Sequence, residues 1–389
     1  MQHALLPIEV CERIIDSCNS RPQFFHPRWH FANLCACALT CRDWVPRSRR
    51  NLYSSVRLRN PWQLGAFLDT IAAQPFLADF VQDLVVGGLT SPNQPSDKYL
   101  PFAQEAMVSA LRRVRRLHIC YYDWAAHHPR YHQLVARYPI VELSLLGGTY
   151  RTMADLFRVI WAFEQLQTLR LAIIEPFKQP GIPVDEIVKR HPQICCNLHT
   201  VTIVGRALLG LQNFPPQGCF GTCLTSVTLF WAQELGTMPS DALLLYLSVP
   251  NALQHVSWLA DCSHIWRQEH VLCDCTSYVS RALCNIPADG PLRRASLKYR
   301  APINTGRISR TRFLECTLTA VLQQALERFS PFEGFALTVP EPNRTQFGDM
   351  WWVRQCAVTW RSNAAKMNVD TAPERTVWAD EVVVLMDTS

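Results

Sequence analysis

Apolar residues recur along most of the chain as a triplet at positions i, i+3 and i+5. The clearest copies are Val114-Leu117-Ile119, Ile140-Leu143-Leu145, Leu166-Leu169-Leu171, Leu198-Val201-Ile203, Leu224-Val227-Leu229 and Leu253-Val256-Trp258. Fainter copies are Val81-Leu84-Val86, Leu292-Ala295-Leu297 and Phe332-Phe335-Leu337. Positions i+3 and i+5 are two apart, so both side chains fall on one face of a short strand. Residue i sits at the turn that enters the strand and packs beneath it. From Leu117 to Val256 the middle residue advances in steps of 26, 26, 32, 26 and 29.

Between the triplets the apolar period changes to that of a helix over Pro61–Ala73, Pro101–Arg113, Thr152–Phe163, Pro183–Arg190, Ser240–Leu247, Glu269–Cys284 and Arg312–Phe329. Asn60, Thr152 and Ser240 are suited to N-capping. The spacing lies in or near the range of leucine-rich repeats, and L-x-x-L-x-L is the core of that repeat. The Asn or Cys that normally follows that core is missing from nearly every copy. Residues 59–345 are therefore expected to form an irregular leucine-rich-repeat-like β/α solenoid, an α/β fold with parallel strands on its inner face. Residues 346–389 are expected to cap it with an aromatic helix, Asp349–Arg361, and a closing strand, Val382–Met386.

The first 58 residues follow a different rule. Pro7 suits a first helical position, and Val10, Ile14 and Ile15 then recur at helical spacing. A second stripe joins Leu34, Cys37, Ala38, Cys41, Trp44 and Val45. Two short amphipathic helices cannot bury both apolar faces on each other, so surplus surface is left for something else.

Charge changes how this segment reads. The chain of 389 residues carries a formal charge of +6, and residues 1–60 hold nine Arg against Glu9, Glu12, Asp16 and Asp43, or +5. The body is nearly neutral, and the basic N-terminal module suggests an acidic partner. The cluster Arg42, Arg47, Arg49, Arg50, Arg57 and Arg59 could grip phosphates, but the body lacks a basic surface interleaved with aromatics, which argues against nucleic acid. Hydrophobic content of 48% and charged content of 18% fit a globular chain. No apolar run reaches membrane-spanning length, and charges at Glu9, Glu12 and Arg13 make a poor secretory signal. Cys11, Cys37, Cys41, Cys284 and Cys316 sit at apolar helix positions and read as small buried thiols. A reducing compartment, cytoplasmic or nuclear, is expected.

Candidate chemistry is sparse. The chain contains no G-x-G-x-x-G after a strand, no P-loop, no H-E-x-x-H and no G-x-S-x-G, so a non-catalytic role without a cofactor is expected. Cys262-x-His264 with His270-x-x-Cys273-x-Cys275 is the best metal candidate. It lacks the C-x-x-C knuckle of a zinc site, and Cys273 and Cys275 would face different ways on a helix, so no metal is expected. His127-His128 reads as a solvated loop. Tyr121, Tyr122 and Trp124 follow one strand and Trp231 ends another, where a solenoid presents variable side chains to a target; packing is the equal alternative.

The run Leu6-Pro7-x-Glu9-Val10 with Ile14 and Ile15, then Leu39-Thr40-Cys41-Arg42-Asp43-Trp44, resembles an F-box. The tail Pro46-Arg47-Ser48-Arg49-Arg50-x-Leu52-Tyr53 resembles the version found in large fungal F-box families. The stretch Ser20–Phe31 is longer than the family's usual link between its first helices. The resemblance implies the substrate-receptor subunit of a Skp–cullin–F-box ubiquitin ligase. Leu6, Pro7, Glu9, Val10, Ile14, Ile15, Leu34, Leu39, Cys41 and Trp44 would then meet the Skp adaptor, with Arg42 at the polar rim. Through the adaptor the chain would reach the cullin, while the repeat body holds a target protein. Two rivals stay open: a repeat scaffold for protein or nucleic acid whose N-terminal helices only cap the array, and a metal-dependent or hydrolytic enzyme using the Cys/His cluster.

Overall fold

The computed structural model describes residues 7–18, 27–87, 100–174, 195–204, 219–232, 252–261, 269–288 and 290–299, with short pieces at 322, 324–325, 328–329, 334–338, 357–360 and 368–370. These residues fall into two compact units, one within Met1–Val141 and one within Glu142–Glu374. The fold is α/β, with parallel strands and intervening helices.

The first unit begins with helices α1 (Ile8–Cys18) and α2 (Pro27–Thr40), a 3-10 turn η1 (Arg42–Trp44) and helix α3 (Val45–Ser54). The stripe from Leu34 to Val45 is therefore not one helix. Cys41 is extended, with φ −157° and ψ 166°. Pro46 has no N–H to give the carbonyl of Arg42, so an unbroken helix through this stretch would lose that bond. In a first turn the same proline is harmless, and α3 starts there. Part of the expected link, from Pro27 to Phe31, is already α2.

Strand β1 (Ser55–Leu58) pairs in parallel with β2 (Asp83–Val86), and β2 with β3 (Arg116–Asp123). Val56 faces Leu84, and Leu84 faces Leu117. The expected helix over 61–73 is α4 (Pro61–Ala73), and its N-cap Asn60 accepts from Gln63 N at 2.9 Å. A 3-10 segment η2 (Pro75–Phe80) leads into β2. The expected helix at 101–113 is only α5 (Glu105–Ala110). After β3 come η3 (Trp124–Ala126) and α6 (Pro129–Val135), with His128 capping α6 through Nδ1, which accepts from Arg130 N at 3.2 Å.

In the second unit seven strands run parallel in chain order: β4 (Glu142–Thr149), β5 (Thr168–Ile174), β6 (Thr200–Val204), β7 (Ser226–Ala232), β8 (His255–Asp261), β9 (Arg294–Tyr299) and β10 (Gly334–Thr338). The middle residues of the triplets form one row: Leu143 faces Leu169, then Val201, Val227, Val256, Ala295 and Phe335 in turn. From Leu143 to Ala295 that row is buried. Helix α7 (Met153–Trp161) opens on a capping box in which Thr152 and Asp155 serve each other, and α8 (Glu269–Asn285) precedes β9.

Residues 357–360, expected at the end of a helix, are strand β11 (Ala357–Trp360), antiparallel to β10 and to β12 (Asn368–Asp370). Alternating Val358 and Trp360 fit a strand as well as a helix over so short a run. The expected helices at 183–190 and 240–247, the remainder of 349–361, and the strand at 382–386 lie outside the described residues.

Candidate partner-docking site

The helical module has a closed core of its own. Ile15 on α1 and Leu34 and Cys37 on α2 are buried together, with Cys18, Trp44 and Leu52 packed against them. An ion pair fastens α1 to α3. Arg47 Nε donates to Asp16 Oδ1 at 2.8 Å, Arg47 Nη2 donates to Oδ2, and Asn51 Nδ2 adds a third bond to Oδ1 at 2.9 Å. The Arg47 bond holds the Asp16 carboxyl below the usual carboxylate range, against the opposing effect of burial.

With that core complete, a second apolar set stays on the surface. Ile8 is 50% exposed, Val10 and Ile14 39%, Phe31 61% and Leu39 87%. Scattered exposed apolar residues are ordinary, and these five are set apart by falling on two adjoining helices of one small module. Pro7 and Glu9 are exposed beside them, and the Pro7 carbonyl accepts from Val10 N at 3.0 Å and Cys11 N at 3.2 Å as the helix begins. Cys41 and Arg42 are exposed at the end of α2.

The residues expected to meet a partner thus divide into two groups. Pro7, Glu9, Val10, Ile14, Leu39, Cys41 and Arg42 lie on the surface; Ile15 and Leu34 are buried, and Trp44 is half-buried against them. Leu6 lies outside the described residues. Ile8 and Phe31 belong to the exposed set and were not anticipated, because Ile8 adjoins the stripe and Phe31 falls in the expected link. The basic cluster also divides. Arg42, Arg49 and Arg50 are exposed, Arg47 is engaged with Asp16, and burial lowers Arg57 from its ordinary value. Cys41 and Cys284, expected as buried thiols, are exposed, and Cys316 lies outside the described residues.

The aromatic candidates expected to follow this strand are mostly internal: β3 runs on to Asp123, so Tyr121 and Tyr122 lie within it and only Trp124 comes after. Tyr121 has φ +51°, left-handed for a residue with a Cβ, and the alternation shifts there by one position. Leu117 and Ile119 are buried before it, and Tyr122 and Trp124 are buried after it. Tyr122 OH donates to Leu100 O at 2.6 Å, and the Tyr122 ring lies edge-on to Phe102 at 5.4 Å. His127, expected in a solvated loop, is buried and stacks between Tyr122 at 4.8 Å and Tyr131 at 4.3 Å. Burial, with His132 nearby, lowers it to about 4. Tyr121 alone of the three stays half-exposed. Trp231 is in β7, but its side chain is not among those described.

A more regular surface lies on the strands themselves. Ser144, Arg170, Thr202, Thr228, Ser257 and Ser296 stand opposite one another, between the buried residues of each triplet. All but Ser144 are half-buried, and Ser296 Oγ donates to Ser257 Oγ at 2.9 Å. This polar row, five hydroxyls and Arg170, stands in the sequence as the residue between i+3 and i+5.

Cys262 and His264 lie outside the described residues, and His270, Cys273 and Cys275 are on α8 with undescribed side chains. No group of three His, Cys, Asp or Glu that could hold a metal ion occurs among the described residues. No described helix is long and apolar enough to cross a membrane. No family model matches the chain, and no curated protein matches it.

Proposed function

We propose that this chain is the target-recognition subunit of a Skp–cullin–F-box ubiquitin ligase. Its helical module docks on the Skp adaptor, and its strand repeats, read as an irregular solenoid, hold a target protein. The observation that carries this reading is the separation of two apolar sets within one module. Ile15, Leu34 and Cys37 close the core, while Ile8, Val10, Ile14, Phe31 and Leu39 remain outside it. Burying a large aliphatic side chain is worth about 1.5–3 kcal/mol, so exposed residues of this kind favour a protein partner. Exposed Arg42, Arg49 and Arg50 give the module a basic surface suited to an acidic adaptor. The chain contributes position rather than chemistry, bringing a target to a conjugating enzyme held elsewhere in the assembly.

Co-purification with the Skp adaptor tests the reading. Val10→Asp with Leu39→Asp should abolish capture while leaving the melting temperature within about 2 °C of wild type, because neither side chain is in the core. Failure of the wild type to capture the adaptor, or undiminished capture by the double variant, would end it. On the body, the half-buried polar row from Arg170 to Ser296 is the surface we assign to the target, in place of the buried Tyr122 and Trp124.

A further inference from the structure

Two cysteines meet inside the helical module. Cys18 is the last residue of α1, and it packs against the cluster of Ile15, Leu34 and Cys37. Cys37 lies on α2 in the same cluster, and the neighbouring Cys18 thiol contributes to raising that of Cys37. On α1, Cys11, Ile15 and Cys18 form the inward stripe, whereas Val10 and Ile14 lie on the exposed side. A bond between Cys18 and Cys37 would therefore join two helices already in contact.

We infer that Cys18 and Cys37 form a peroxide-sensitive pair, and that oxidation joins their Sγ atoms in a disulfide tying α1 to α2. Cys18 is half-buried and Cys37 buried, so the oxidant reaches Cys18 first. The Cys18 thiolate attacks a peroxide oxygen and the O–O bond breaks. With one proton taken up, this gives a sulfenic acid and water from hydrogen peroxide. Cys37 Sγ then attacks the sulfenic sulfur, its proton leaves with the displaced hydroxide, and a second water forms. In sum, two thiols and one hydrogen peroxide give one disulfide and two waters. Burial and the neighbouring Cys18 push the Cys37 thiol up, so the half-buried Cys18 is the one that meets the oxidant. Because the exposed side of α1 is not involved, oxidation fixes the Val10–Ile14 side in place instead of hiding it. That consequence rests on the adaptor-docking reading; the disulfide does not.

The test uses the full chain, treated with hydrogen peroxide, blocked with N-ethylmaleimide and digested without reduction. Mass spectrometry should find the peptide containing Cys18 linked to that containing Cys37. Closing a loop of about twenty residues should raise the melting temperature of the oxidised protein by about 5 °C or more. Cys18→Ser should abolish both signals, while Cys41→Ser keeps them. Cys18 is at a helix end and half-buried, so its variant decides the matter even if Cys37→Ser fails to fold. Absence of the linked peptide, or a shift that survives Cys18→Ser, overturns the inference. Adaptor capture is then compared between oxidised and reduced protein. Capture lost on oxidation overturns the fixing role, whereas no capture in either state sinks the docking reading and leaves the disulfide standing.

Discussion

Asp16 is the place where one side chain holds the helical module together, and its removal has a calculable effect. Its carboxylate takes two bonds from Arg47 and one from Asn51, joining the end of α1 to α3. Charge-assisted bonds contribute about 1.5–3 kcal/mol each when buried. Here the Arg47 and Asp16 side chains are 29% and 42% exposed, so solvent screening reduces the interaction toward the surface range of about 0–1 kcal/mol. A coupling of about 1 kcal/mol between the two is the expected result. It is measured by urea unfolding of wild type, Asp16→Ala, Arg47→Ala and the double variant. The Asp16 carboxyl is held below its ordinary value of 3.8. Its stabilisation is therefore fully present above about pH 4 and is lost as pH falls through the lower folded value. A coupling below about 0.3 kcal/mol at pH 7, or one that grows as pH is lowered toward 3, would refute the reasoning.

Three further outcomes follow from other parts of the first unit. Gly87 has φ +91°, and a Cβ there would meet the Cys120 carbonyl oxygen at 2.0 Å, so Gly87→Ala should destabilise by about 2 kcal/mol or more in urea titration. Tyr122→Phe removes the hydroxyl that donates to Leu100 O and should cost about 1–2 kcal/mol; adaptor capture by this variant should match wild type. His127, lowered to about 4 by burial, stabilises the fold fully above its ordinary value of 6.5, and that contribution declines as pH falls toward 4. The melting temperature of His127→Gln should accordingly fall less than that of wild type between pH 6.5 and 4.5, and parallel curves would contradict the assignment.

The strands were legible because each has a local signature. In Leu143-Ser144-Leu145 or Val227-Thr228-Leu229 the core face is written at a spacing of two, and the turn residue before it fixes where the strand starts. Caps at Asn60 and Thr152 were legible for the same reason, since a side chain three residues from its backbone partner is local chemistry. β1 escaped notice because Val56 and Leu58 alternate with Ser55 and Arg57 inside a basic run, and four residues give too little period to count. The exposed apolar set of the helical module was only half legible. Helical spacing groups Val10, Ile14 and Ile15 without saying which of them turns inward, and that depends on where α2 crosses. The aromatic residues at the end of β3 were misplaced by a single left-handed residue, Tyr121, after which the buried positions shift by one. Nothing in a tyrosine's identity announces that conformation.

The pairing of the strands has one more implication. Leu143 and Leu169 are 26 residues apart, and Leu169 and Val201 are 32 apart, yet both pairs stand directly opposite each other. The rungs act as a ruler that ignores how much chain runs between its marks. Lengthening that chain is then a cheap kind of change for lineage or engineer alike, because it alters what is displayed beyond the strand ends while leaving every rung where it was. The tolerance is lopsided. Six additional residues between Leu169 and Val201 turned no side chain over, whereas one residue inserted within Thr168–Ile174 would reverse the faces of those that follow.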